Sequence, residues 1–232
     1  MIYQVCRAIQ DMKTEILNFD AQNGATTAYV AIPDNNATRA VLVIQEYWGL
    51  KDHIKDICGR YANEGFIAIA PDLYRGKIAN SSAEASQMMQ ELETDDGIDI
   101  IKNAIDAARD KYGVSHFGIT GYCMGGTYAL RSACLLEGIS AAAAFYGDIP
   151  EEGVLKELTV PTIFISATKD KWINAEKVAK LEDTVERYEL PLQSVRYEAD
   201  HAFFNDTRPE VYNETAARDA WALVIGFFSD KL

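Results

Sequence analysis

The segment Gly121-Tyr122-Cys123-Met124-Gly125 carries the clearest chemical content in this 232-residue chain. A short apolar run at residues 115–120 precedes it, and an amphipathic stretch at 124–136 follows. Gly-x-Cys-x-Gly between a strand and a helix is the pattern of a nucleophile elbow, with Cys where Ser is usual. Such a turn strains the backbone of the nucleophile, and side chains two residues to either side would collide with neighbouring backbone. Gly121 and Gly125 remove that collision. A helix that begins under the nucleophile points its positive dipole end there, which favours a thiolate. The expected chemistry is therefore attack by Cys123 on an electrophilic carbon.

A nucleophile at 123 needs a base and an orienting acid, in the chain order nucleophile, acid, His. Only three histidines exist. His53 precedes the elbow, and His116 opens the elbow strand at its far end. His201, in Ala199-Asp200-His201-Ala202-Phe203, follows the last strand pattern, where a loop at the carboxyl edge of the sheet leads back to the elbow. Asp170 follows the run 162–166 and is the expected acid. Asp200 is the rival, but sequence neighbours usually point apart, so Asp170 is preferred. Val43-Ile44-Gln45-Glu46-Tyr47-Trp48-Gly49 ends the first central strand, where an oxyanion-hole loop belongs. The backbone N–H groups of Tyr47 and Met124 are the expected donors. A Glu46 side chain turned inward would lie beside the elbow and disfavour ionisation of Cys123. Thr120-Gly121-x-x-x-Gly125-Gly126 also approaches a dehydrogenase cofactor loop, but Thr127 stands at its last glycine. A dinucleotide loop would, moreover, follow the first strand of a sheet.

The elements that must position these residues alternate along the chain. Residues 14–19 and 26–32 read as strands joined by a short turn, which makes an antiparallel edge. Further strands are expected at 40–44, 66–70, 115–120, 140–146, 162–166 and 193–198. Helices are expected at 52–64, 82–112 (two, broken near Gly97), 124–136, 175–189 and 214–230. Ala40-Val41-Leu42-Val43-Ile44 is apolar throughout, as a strand covered on both faces requires. The pattern is a single α/β domain with a mostly parallel central sheet and helices on both faces. Residues 1–11 fit it poorly and read as an N-terminal extension to a domain over 12–232.

The combination resembles the dienelactone hydrolase family of the α/β-hydrolase superfamily. The matching residues are Gln45-Glu46-x-x-Gly49, Pro71-Asp72-Leu73-Tyr74, Gly121-Tyr122-Cys123-x-Gly125-Gly126, Tyr146-Gly147, Asp170 and His201-x-Phe203. The resemblance implies a Cys123–His201–Asp170 triad, with Glu46 hydrogen-bonded to the resting thiol. It also implies a substrate pocket bordered by Trp48, Tyr146 and Phe203, and needs no cofactor or metal. Two family arginines that grip a substrate carboxylate fall at Ser82 and in Phe204-Asn205 here. Arg75 and Arg208 lie nearby but read as surface charges.

Composition removes the other classes. Lys and Arg number 22 against 35 Asp and Glu, a net charge of −13, so nucleic acid and anionic membrane are not expected partners. No apolar run approaches a bilayer span, and the start lacks the charged and apolar regions of a secretory signal. Four cysteines without a Cys-x-x-Cys pair argue against structural zinc or a disulfide scaffold, so a cytoplasmic setting is expected. The expectation is a cysteine-dependent hydrolase of a small ester or lactone, working as a monomer or small homo-oligomer through an acyl-enzyme. Neutral substrates should be favoured over anionic ones. Thioesterase or amidase action on the same triad, and a slow-turnover binding protein, are the alternatives.

Overall fold

The structure, a computed structural model, describes residues 12–232. The extension expected at residues 1–11 lies outside them. Eight strands form one sheet in the order β1-β2-β4-β3-β5-β6-β7-β8. β1 (Lys13–Ala21) and β2 (Gly24–Ile32) are the antiparallel edge. β3 (Arg39–Ile44), β4 (Ile67–Pro71), β5 (His116–Tyr122), β6 (Ile139–Phe145), β7 (Thr162–Ala167) and β8 (Leu192–Tyr197) run parallel.

Side chains alternate across this sheet, and each face has its own core. From β3, Ala40, Leu42 and Ile44 enter one core, and Val41 and Val43 enter the other. All five are fully buried, which is why the run is apolar without a break. The first core is covered by α3 (Thr94–Tyr112), α4 (Met124–Leu135) and α6 (Ala175–Tyr188). The second is covered by α1 (Asp52–Asn63) and α7 (Glu214–Lys231). No helix among the described residues is long and apolar enough to cross a membrane.

Two details depart from the sequence reading. The long helical stretch breaks at Leu92–Glu93, between α2 (Ser82–Glu91) and α3, not near Gly97. Gly97 sits inside the first turn of α3, where a Cβ would come within 2.3 Å of the Tyr128 ring. Its missing side chain serves helix–helix packing, not a break. A short helix, α5 (Glu152–Leu155), also appears where none was expected. At the turn, β5 runs two residues past Thr120 and ends at Tyr122, directly before Cys123.

Candidate active site

Cys123 lies between the end of β5 and the start of α4, with φ 57° and ψ −118°. This is unfavourable for a residue with a Cβ and costs on the order of 1–3 kcal/mol. The surroundings enforce it. A Cβ on Gly121 would lie 2.1 Å from the Gly125 carbonyl oxygen, and one on Gly125 would lie 2.2 Å from the Ile44 oxygen. The Cys123 N–H donates to the Phe145 oxygen at 3.1 Å, and its carbonyl accepts from Gly126 and Thr127. Tyr146 (φ 38°) and Ala202 (φ 63°) share the left-handed region. Three of the five non-glycine residues with positive φ among the described residues thus flank one site.

Asp170 lies three residues beyond β7, with its side chain fully buried. Its Oδ2 is 2.6 Å from His201 Nδ1. Its Oδ1 accepts the N–H groups of Trp172 at 2.8 Å and Ile173 at 3.0 Å. One carboxylate therefore both orders the turn and holds the imidazole. Burial alone would raise its pKa, but the His201 bond and the two N–H donors outweigh that, and the net shift is downward. Asp200, the rival acid, is exposed to solvent. His116 is exposed as well, and Cys58 and Cys134 are buried in helices α1 and α4.

The thiol has a different environment. Burial pushes Cys123 up to about 12, and the Glu46 charge adds to the shift. The N–H groups of Met124 and Tyr47 act in the opposite direction. Among the described residues, no hydrogen bond joins Cys123 to His201 or to Glu46. The hydrogen bond to the Glu46 carboxylate comes instead from Asn205, Nδ2 to Oε2 at 2.8 Å. Glu46 is 5% exposed, and burial lifts its carboxyl to about 7. It acts on the thiol through charge, not through the direct bond that the family resemblance implied.

A cavity of about 480 Å³ opens beside Glu46, with Trp48, Lys51, His53, Asn205 and Arg208 on its wall. Cys123 and His201 are not on that wall. Tyr146 and Phe203 are fully buried; their rings are 5.5 Å apart and neither lines this cavity. Tyr146 instead packs on His201, with centroids 5.1 Å apart. Arg75 is held away by a two-pronged bond to Asp96 at 2.7 and 2.6 Å. Arg208, read from sequence as an ordinary surface charge, is on the cavity wall. Sequence reasoning also gave no role to Asn205 and Trp172. Among the described residues, no group of three or more His, Cys, Asp or Glu is placed to hold a metal ion.

Residues 26–232 match the model of the dienelactone hydrolase family. A protein of Aquifex aeolicus (strain VF5), provisionally named a carboxymethylenebutenolidase, is 35% identical over 231 residues; these cover 94% of this chain and 99% of that protein. Protein usf of Aquifex pyrophilus is 33% identical over 230 residues, with the same coverage of both chains. A crystal structure from Klebsiella pneumoniae, provisionally described as a dienelactone hydrolase, has a TM-score of 0.87 at 26% identity. The match covers 94% of this chain and 98% of that one. The chain belongs to the dienelactone hydrolase family.

Proposed function

We propose that this protein hydrolyses small carboxylic esters or lactones through Cys123, His201 and Asp170, by way of an acyl-enzyme. The observation that carries the reading is the 2.6 Å His201–Asp170 pair on the loops that flank the strained Cys123 turn. Family membership and the hydrolase names of the relatives support the same reaction class.

In the first step the Cys123 proton moves to His201 Nε2, since Nδ1 is engaged by Asp170. The sulfur attacks the carbonyl carbon, and the oxygen takes up negative charge between the N–H groups of Tyr47 and Met124. The C–O bond breaks as His201 returns its proton to the leaving oxygen. Water then attacks the thioester with His201 as base; the C–S bond breaks, the sulfur regains the proton from His201, and the acid product leaves. Asp170 holds the imidazole in one orientation and stabilises the imidazolium. Glu46 opposes thiolate formation at rest, and the proton it carries near neutrality decides how strongly.

Substoichiometric alkylation followed by peptide mapping tests the nucleophile. Label should appear on Cys123 in step with lost hydrolysis of an aryl ester, and wild-type protein should release a burst of alcohol. Undiminished hydrolysis by Cys123→Ala would end the reading.

A further inference from the structure

One prominent side chain beside this site has no part in the mechanism above. Trp172 is 70% exposed, more than any other large apolar residue among those described. A lone exposed apolar residue needs no special reason, but this one stands on the turn that holds the imidazole. Its backbone N–H donates to Asp170 Oδ1 at 2.8 Å. Its ring meets the His201 imidazole at right angles, with centroids 5.0 Å apart and planes at 77°. The other aromatic neighbour of the imidazole is Tyr146, which is fully buried. Of these two neighbours, Trp172 is the one open to solvent beside the imidazole.

We propose that Trp172 is the contact for the leaving alcohol of the substrate and selects apolar, above all aromatic, leaving groups. The inference rests on the proposed triad. When the acyl C–O bond breaks, the proton that His201 took from the thiol passes to the leaving oxygen. That oxygen must lie within hydrogen-bond reach of Nε2, roughly 2.6–3.2 Å away. Its substituent then extends over the accessible ring beside the imidazole. A wide aromatic face presents large contact area there at little entropic cost. The acyl group stays on Cys123, between the Tyr47 and Met124 N–H groups, and does not share this contact. Water replaces the alcohol in the second step, so Trp172 selects substrates during acylation and has no part in deacylation.

Benzyl and methyl esters of one acid test this, because the two alcohols are of similar acidity and differ mainly in contact area. Wild-type protein should favour the benzyl ester. In Trp172→Ala the benzyl-to-methyl ratio of kcat/KM should fall about tenfold, a difference of about 1.4 kcal/mol. Trp172→Phe should keep most of the ratio. A second series, benzyl acetate against benzyl hexanoate, should give the same ratio in wild type and Trp172→Ala. An unchanged benzyl-to-methyl ratio, or an equal fall in the acyl-side ratio, overturns the assignment. Hydrolysis that survives Cys123→Ala would instead overturn the triad on which it rests.

Discussion

His201 and Asp170 are joined at 2.6 Å, whereas Cys123, at the centre of the same site, is bonded to neither His201 nor Glu46 among the described residues. The His201–Asp170 pair is assembled in advance, with Asp170 held by two backbone donors and shifted downward. The Cys123 thiol is kept neutral by burial and by the charge of Glu46, whose own carboxyl burial lifts to about 7. On the mechanism proposed above, the difference puts control at the thiol. A pair that only moves protons can be rigid at no risk, while a permanently ionised thiol would be open to oxidation.

Breaking the assembled half should have the largest effect. Asp170→Asn removes the charge that supports the imidazolium and fixes its tautomer, so kcat should fall by about 10⁴-fold. Asp200→Asn should stay within about twofold, because that side chain is exposed. Steady-state hydrolysis of one aryl ester by both variants decides the matter. The reverse ranking would show that the acid had been misassigned.

The restrained half is probed at Glu46. Its folded pKa is about 7, against an ordinary value of 4.5. Below pH 4.5 the folded and unfolded forms both carry the proton. As pH rises through 7, the unfolded chain ionises first, and the folded protein loses stability until the buried carboxyl also ionises. The loss approaches about 3 kcal/mol above pH 7, at roughly 1.4 kcal/mol per unit. Glu46→Gln has no such titration. The variant should therefore gain about that much over wild type between pH 4.5 and pH 8 in urea unfolding. Its thiol pKa, read by ultraviolet absorbance, should also drop, because a nearby negative charge is gone. A gain at low pH instead, or a higher thiol pKa, would contradict this account.

How legible each half was in the sequence follows from the forces that set it. The elbow could be read because a tight turn leaves no alternative to glycine at 121 and 125; the clash distances express the same constraint. That His201 meets Asp170 and not its neighbour Asp200 follows the usual divergence of adjacent side chains. Gly97 was misread because its partner Tyr128 lies 31 residues further on, and only packing brings the two together. The bond from Asn205 to Glu46 spans 159 residues, and no local pattern announces it. Trp172 and Arg208 share that difficulty. Each is an ordinary loop residue until the loops fold over the carboxyl ends of β3, β5 and β7.

The smallest expected effect concerns substrate charge at the cavity beside Glu46. Phe204-Asn205 stands where the family resemblance calls for an arginine, and Asn205 donates to Glu46. Arg75 is engaged by Asp96. Arg208 alone of the two candidate arginines reaches the cavity, and it donates from Nε to Glu210 at 2.8 Å, so its charge is already shared. A carboxylate buried there would find one divided guanidinium, Lys51 at the wall, and the Glu46 charge against it. The chain as a whole carries −13, which repels anions at long range. Neutral lactones should therefore exceed their carboxylate analogues by about tenfold in kcat/KM, or about 1.4 kcal/mol. Added salt should narrow the gap by screening its long-range part. Arg208→Ala should widen it by removing the nearest attraction. A preference for the anionic lactone that vanishes in Arg208→Ala would show instead that Arg208 is a working anion clamp, and that the cavity, not Trp172, dominates substrate choice.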